Sequence, residues 1–128
     1  QAEDGIRDSV ASRGLGDVYK RQVKNTTAPY LASKWKELEV HPLVGEARHL
    51  GMLAAIEIVE DKENCRRFEN SGEIVGRCRD FCYENGIVMR AIKNKMVIAP
   101  PLICNNDHID EILEKVWKCL DLTAQSIK

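Results

Sequence analysis

The order in which helical and extended patterns of apolar residues alternate along the chain limits its fold more than any other feature. Three segments place apolar residues at helical spacing, and four short aliphatic segments lie between them in two adjacent pairs. The helical segments are residues 23–40, 71–85 and about 107–122, and the extended segments are residues 43–49, 51–59, 87–92 and 96–99. Because strands joined by short connections pair antiparallel, the order α-β-β-α-β-β-α predicts an α+β fold. We expect a small, mostly antiparallel sheet with helices packed on one face.

Glycine and small polar residues mark the ends of these segments. Gly51 separates the first two strands and predicts a bulge or a close approach of backbone. Residues 93–95 predict the turn of a hairpin between the last two strands. Ser71 is expected to cap the second helix, and either Asn105 or Asn106 to cap the third.

The first 22 residues have no apolar periodicity of either kind, and their four acidic and four basic side chains cancel. Residues 17–22 can be back-translated as GAT GTG TAT AAG AGA CAG, which resembles the transposon end used to build sequencing libraries. Residues 1–8 can be written to resemble a flow-cell adapter. We interpret residues 1–22 as a non-native, adapter-like tail without ordered structure, and residues 23–128 as the natural domain. Since the natural part starts inside a helical pattern, we expect it to be the C-terminal piece of a longer protein.

Charge and composition argue against several classes of protein. The 19 basic and 20 acidic residues leave a net charge of −1, so no basic excess can neutralise phosphates and we expect no nucleic-acid partner. The apolar runs are far shorter than the roughly 18–20 residues that span a bilayer, and we expect no membrane association. The five cysteines match neither a secreted disulfide framework nor a zinc site. We therefore expect reduced thiols, no bound metal and a cytoplasmic protein.

One charged residue stands out in an otherwise apolar strand. Arg90 lies in the segment Gly86-Ile87-Val88-Met89-Arg90-Ala91-Ile92. A guanidinium is costly to bury unless it meets an anion, and its planar fork suits a carboxylate. The pattern alone leaves two interpretations open: an arginine on the exposed face of an edge strand, or a carboxylate-binding residue. Glycine-rich phosphate loops, nucleophile elbows and HExxH zinc motifs are absent from the sequence.

Several motifs between residues 41 and 112 occur together in one family. They are His41-Pro42-Leu43-Val44-Gly45-Glu46-Ala47-Arg48, Leu50-Gly51-Met52, Glu57, Val59, Asp61-Lys62, Arg79-Asp80, Gly86-Ile87-Val88-Met89-Arg90-Ala91, Ala99-Pro100-Pro101-Leu102-Ile103 and Ile109-Asp110-Glu111-Ile112. Together they resemble the C-terminal small domain of class III, fold-type I aminotransferases that depend on pyridoxal phosphate. Within that class the chain is most similar to the omega-amino-acid–pyruvate and (S)-amine–pyruvate transaminases.

The resemblance implies a role for Arg90. The arginine of the family's Met-Arg-Ala run is a mobile active-site residue that pairs with the carboxylate of an amino or keto acid and swings away for large uncharged amines. Arg90 matches that position and is our candidate substrate-binding residue. Arg48 matches the arginine of a Val-Arg-Gly run and is interpreted as structural, although His49 replaces the usual glycine.

The resemblance also implies what this chain lacks. The lysine that bonds covalently to pyridoxal 5′-phosphate, and the carboxylate that holds the pyridine nitrogen, belong to the family's large domain upstream of Val23. We therefore expect no catalytic and no cofactor-binding residue in this chain, and no activity from it alone. The parent enzyme would move an amino group between an amine or omega-amino acid donor and a keto acid such as pyruvate, as a homodimer. The alternative is a stand-alone binding or regulatory module of ferredoxin-like α+β type.

Overall fold

The computed structural model of the chain describes residues 17–128. Its elements occur in the predicted order. They are helix α1 (Ala28–Lys36), which follows a π-helical turn (Val23–Thr27) and leads into a 3₁₀ turn (Glu37–Val40), strands β1 (Val44–Leu50) and β2 (Leu53–Ile58), helix α2 (Ser71–Glu84), strands β3 (Arg90–Ile92) and β4 (Lys95–Ile98), and helix α3 (Asn106–Ile127). The predicted α+β fold with a small antiparallel sheet is confirmed.

The four strands form one sheet in the order β1-β2-β4-β3, and all three neighbouring pairs are antiparallel. Side chains alternate between its two faces. On the face that we call the covered face, the three helices bury the strand residues, which are Val44, Ala47, Ala54, Ile56, Ile58, Met96 and Ile98. The opposite face, which we call the open face, is not covered by any helix in residues 17–128, and several of its side chains are exposed.

The first helix is locked onto the sheet by Trp35. This side chain is fully buried, and its indole Nε1 donates a hydrogen bond to the main-chain oxygen of Ala55 on β2 at 3.0 Å. The chain then leaves the helix at His41, which is also buried and whose Nε2 lies 2.9 Å from Asp121 Oδ1 on α3. The contact between His41 and Asp121 joins two distant parts of the sequence. The helices α1 and α3 also contribute residues to the same hydrophobic core.

Gly51 has a different role from the predicted one. It belongs to the two-residue turn between β1 and β2, where its φ of +59° favours glycine, and a Cβ atom there would meet nothing within 4 Å. The irregularity in the ladder lies instead at Gly45, where the register between β1 and β2 shifts. A Cβ atom on Gly45 would lie 2.7 Å from Cγ1 of the buried Val59. The close approach expected at Gly51 therefore occurs at Gly45, six residues earlier in the sequence.

Two element boundaries also differ from the prediction. The third strand pairs only from Arg90, not from residue 87. If the ladder continued in this register, Ile87 would face Pro100, which has no N–H to donate, so pairing could not reach residue 87. The N-cap of α2 is Asn70, and Ser71 is the first helical residue. Asn105 caps α3 as expected, and its side chain accepts a bond from the His108 N–H while His108 Nδ1 accepts from the Asn105 N–H.

The segment assigned to the adapter-like tail lies partly outside the described residues, since residues 1–16 are not among them. Residues 17–22 are helical rather than without ordered structure, and they continue directly into the π-helical turn. All six of their side chains are exposed, so their helix adds no residue to the core. No helix within residues 17–128 is long and apolar enough to cross a bilayer.

Candidate functional site

The open face brings together side chains from all four strands in two rows. Register pairs Arg48 with Ala55, Ala55 with Val97, and Val97 with Arg90, so that these four residues form one row across the sheet. The second row, two residues along each strand, contains Glu46, Glu57, Lys95 and Ile92. An arginine therefore stands at each edge of the first row, with small apolar side chains between the two.

Arg90 is the first residue of β3 and is exposed. Val88 and Ile92, on the same side of the chain, are also exposed, whereas Ile87 and Met89 are buried in the core. Side chains therefore alternate between the two faces along this segment. This alternation places the guanidinium on the open face, at the end of the sheet where β4 leaves toward Pro100.

The other arginines after residue 22 are engaged by carboxylates, and Arg90 differs from them. Each of the five has a carboxylate oxygen within 3.1 Å, and the pairs are Arg48–Glu46, Arg66–Glu60, Arg67–Glu57, Arg77–Glu73 and Arg79–Asp80. Within residues 17–128, no carboxylate lies within 4.0 Å of the Arg90 guanidinium. Its neighbours on the open face are the apolar side chains of Val88, Ile92 and Val97. Within the described residues, the Arg90 guanidinium therefore lies on the open face without an ion pair.

A shallow groove of about 340 Å³ follows the open face along β1 and β2 and reaches Val97, the strand partner of Arg90. It is lined by Arg48, His49, Leu50, Leu53, Ala54, Ala55 and Val97. Leu50 is 80% exposed and Leu53 is 49% exposed, although both are aliphatic residues of a strand. An apolar surface of this kind, next to a cation, is typical of a face that another part of a protein covers.

At the other end of the open face, Glu57 collects polar partners. Its carboxylate accepts hydrogen bonds from Asn94 Nδ2 at 2.6 Å and from Arg67 Nε at 3.0 Å, and Arg48 Nη2 lies 3.7 Å away. Burial raises the pKa of Glu57, but the hydrogen bond from Asn94 and the charges of Arg67 and Lys95 outweigh it and lower the pKa overall. Glu57 is a second charge in an apolar strand, since it stands in the segment 52–59, and the signal that singles out Arg90 in the sequence also applies to it.

Arg48 belongs to this second cluster. Its Nε lies 3.1 Å from Glu46, and its guanidinium also approaches Glu57 on the neighbouring strand. The contact with Glu46 lies within β1, and the contact with Glu57 links β1 to β2, which is compatible with the structural role predicted for Arg48. The replacement at His49 leaves an exposed side chain at the edge of the sheet.

The described residues do not fit a pyridoxal-phosphate site. Such a site needs a lysine enclosed in a pocket, with a carboxylate placed for the pyridine nitrogen, and no lysine in residues 17–128 is buried. Lys115, which lines a groove of about 260 Å³ beside α3, is paired with Glu111 at 2.8 Å. Lys24 lines a groove of about 460 Å³ whose other members are mostly apolar and include no carboxylate.

The cysteines are all unpaired thiols. Cys78, Cys82 and Cys119 are buried together between α2 and α3, Cys104 is half-buried, and Cys65 is exposed. Contact with Cys78 and burial raise the pKa of Cys82, and burial raises that of Cys119. No group of three or more His, Cys, Asp or Glu side chains in the described part of the chain could hold a metal ion.

Known proteins similar to this chain are aminotransferases. The putrescine–pyruvate aminotransferase of Pseudomonas aeruginosa is 49% identical over 107 residues, which cover 83% of this chain and 23% of that enzyme. An aminotransferase of Sinorhizobium fredii is 31% identical over 111 residues, covering 85% of this chain and 21% of its own length. No protein-family model matches the chain.

Solved structures give the same result. A transaminase solved with L-alanine superposes with a TM-score of 0.80 at 28% identity, covering 92% of this chain and 28% of that one. A thermostable omega transaminase of Pseudomonas jessenii superposes with a TM-score of 0.73 at 31% identity, covering 78% of this chain and 22% of that one.

Fold and sequence together therefore place the chain among the aminotransferases. More specifically, it belongs to class III, and it spans about a quarter of the length of the relatives it matches. The ferredoxin-like alternative is not favoured, because the similar proteins described above are all aminotransferases.

Proposed function

We propose that residues 23–128 are the C-terminal domain of a transaminase that depends on pyridoxal 5′-phosphate. The enzyme moves an amino group between an amine or omega-amino acid donor and a keto acid such as pyruvate, and Arg90 binds the substrate carboxylate. The relative with 49% identity is named for putrescine and pyruvate, which supports both the amine donor and the keto acid acceptor.

The observation that carries the proposal is the setting of Arg90 on the open face. Its strand partner there is Val97, Val88 and Ile92 lie on the same side of its own segment, and no carboxylate of residues 17–128 lies within 4.0 Å of the guanidinium. A long side chain at the start of a three-residue strand can extend beyond the sheet toward a substrate held by another domain. A charge-assisted bond to a carboxylate contributes about 1.5–3 kcal/mol, and more when it is bidentate and shielded from water.

The cofactor belongs to the rest of the enzyme in this proposal. When bound, it supplies the electron sink that lets an amino group move between carbon skeletons. The part assigned to this chain is to bind the substrate carboxylate through Arg90 and so orient the substrate. The apolar groove along β1 and β2 adds a surface that excludes water once the large domain covers it.

Localisation and assembly complete the proposal. The five unpaired thiols support a reducing compartment, the cytoplasm. A homodimer follows from the resemblance, and the partners are an amino donor and a keto acid, with neither nucleic acid nor membrane involved. This chain by itself, given pyridoxal phosphate, putrescine and pyruvate, is expected to show no turnover.

A chimeric enzyme tests the role of Arg90. The matching segment of the Pseudomonas aeruginosa aminotransferase is replaced by residues of this chain, and the two half-reactions are measured separately in single turnovers. Arg90→Ala should lower kcat/KM for pyruvate by about tenfold to a few hundredfold, since each 1.4 kcal/mol is a factor of ten. The half-reaction with putrescine, which has no carboxylate, should change less than about twofold.

Two further variants sharpen the result. Arg90→Lys should recover only part of the loss, because an ammonium lacks the planar fork. Arg79→Ala is the matched control, since Arg79 is an exposed arginine on α2 that pairs with Asp80, and both half-reactions should be unchanged. An equal loss in both half-reactions for Arg90→Ala would make Arg90 a structural residue and would refute the assignment.

A further inference from the structure

We propose that Asn94, held by Glu57, is a positioning residue for Arg90: the buried Asn94–Glu57 contact anchors the β3–β4 hairpin to β2 and so fixes where the Arg90 side chain starts. This inference rests on the proposed function of Arg90. It concerns a different set of contacts, at the opposite end of the open face, which sequence analysis did not assign.

The hairpin that carries Arg90 is short and lies at the edge of the sheet. Only three residue pairs join β3 to β4, namely Arg90–Val97, Ala91–Met96 and Ile92–Lys95. β3 is an edge strand with no second neighbour. So few ladder bonds leave a strand free to fray, unless its turn is fixed by something else.

Asn94 supplies that anchor in two directions. It is the second residue of the turn and only 3% exposed, which is unusual for a polar turn residue. Its Nδ2 donates to Glu57 Oε1 at 2.6 Å, and its main-chain oxygen accepts from the Ile58 N–H at 2.8 Å. Side chain and backbone of one turn residue are therefore bound to two consecutive residues of β2.

Glu57 is itself held in place. Arg67, from the loop before α2, donates to the same carboxylate, and Arg48 approaches it from β1. The Glu57 side chain is only 15% exposed, and its ionised form is favoured by these partners. These contacts thus join the central strand β2 to β1, to the loop before α2 and to the β3–β4 turn. Because the acceptor is charged, the hydrogen bond from Asn94 is stronger than one between neutral groups.

Arg90 lies close to the turn that contains Asn94. It is two residues before the end of β3, where the turn begins, which is about 7 Å along the strand at roughly 3.3 Å per residue. A small rotation of the hairpin about β4 therefore moves the Arg90 Cα atom directly. Misplacement of a binding group by an ångström is enough to weaken its contribution to catalysis.

The chimeric enzyme tests the inference with Asn94→Ala. This variant keeps the main-chain bond to Ile58 and removes only the amide bond to Glu57. We expect kcat/KM for pyruvate to fall about fivefold to tenfold, mainly through KM, with the putrescine half-reaction changed less than twofold. Asn64→Ala is the matched control, because Asn64 makes the same kind of amide bond, to Asp61 at 2.7 Å, in an exposed loop.

A double variant separates positioning from general stabilisation. If Asn94 acts through Arg90, adding Asn94→Ala to Arg90→Ala should cause no further loss with pyruvate. A further loss of the same size, an equal effect on both half-reactions, or no effect of Asn94→Ala alone would overturn the inference. The proposed function would survive any of these results if Arg90→Ala alone still impairs only the pyruvate half-reaction.

Amide hydrogen exchange on the 128-residue chain gives an independent measurement that needs no activity. Asn94→Ala should speed exchange at Ile58 and within β3 and β4 by about tenfold, and leave β1 unchanged. Unchanged exchange in the hairpin would show that the anchor does not hold it. Faster exchange across the whole sheet would show a global loss of stability instead, and would equally refute a positioning role.

Discussion

The two faces of the sheet are built from alternate residues of the same four strands, yet they differ in almost every property. On the covered face, Ile56, Ile58 and Met96 are at most 1% exposed and contact helices. On the open face, Leu50 and Leu53 are 80% and 49% exposed, and Arg90 has no carboxylate partner among residues 17–128. The comparison teaches that one face stabilises this domain, while the other presents groups whose partners lie elsewhere.

The open face itself is divided. Around Glu57, the carboxylate and the guanidinium groups of Arg48 and Arg67 are engaged by other residues of the domain. Around Arg90, two residues along the strands, the surroundings are apolar. A cluster of paired charges can hold a strand in place, whereas a cation without a counter-ion next to apolar surface can bind an anionic ligand.

The largest effect should come from breaking the covered face at Trp35. Replacing this fully buried side chain by alanine leaves a cavity and removes the donor to the Ala55 oxygen. Trp35→Ala should therefore cost about 3–5 kcal/mol of unfolding free energy, measured by urea denaturation. The control on the open face is Leu50→Ala, which should change stability by less than about 0.5 kcal/mol. Similar losses for the two variants would mean that the faces do not differ in the way described.

A sheet covered by helices on one face was predictable from sequence, because the helical segments carry apolar stripes that must pack against the strands. Along residues 87–92, side-chain alternation separates exposed Val88 and Ile92 from buried Ile87 and Met89. What could not be predicted depends on contacts between distant segments. The tight approach at Gly45 is caused by Val59, which is 14 residues away in sequence.

The same reason explains the missed anchor at Glu57. Its three partners, Arg48, Arg67 and Asn94, come from β1, the loop before α2 and the β3–β4 turn, up to 37 residues away in sequence. Spacing along the chain contains no signal for such a set, although a lone carboxylate in an aliphatic strand does indicate that a partner exists. The family resemblance includes Glu57 among its motif residues, but it implies no role for that residue and none for Asn94.

A smaller effect is expected from titrating the polar end of the open face. The pKa of Glu57 is lowered in the folded chain, so its contribution is present above the unfolded pKa of about 4.3 and is lost as pH falls through the folded pKa. Glu57→Gln should therefore make unfolding free energy less dependent on pH between neutral pH and about pH 3. Urea denaturation at a series of pH values measures this.

Glu111→Gln is the control. Lys115 also lowers the pKa of Glu111, but this pair is exposed, so its substitution should change the pH dependence of unfolding less. A pH profile unchanged by Glu57→Gln would contradict the picture of a satisfied anchor.

The smallest effect is expected at the start of the chain, where two stretches of continuous helix should differ. Residues 17–22 are all exposed, whereas a few residues later Thr27 is buried and Tyr30 donates a hydrogen bond to Asp110 on α3. Removing residues 1–22 takes away no core contact of the described chain and should shift Tm by less than about 2 °C. Removing residues 1–30 also deletes the buried Thr27 and the hydrogen bond of Tyr30 and exposes the core beneath α1, so Tm should fall by about 5 °C or more.

Differential scanning calorimetry of both truncations locates the point at which the domain begins to depend on its N-terminal helix. A fall of more than about 5 °C for the shorter truncation would show that residues 1–22 contribute to the fold, and the proposed boundary at Val23 would then be wrong.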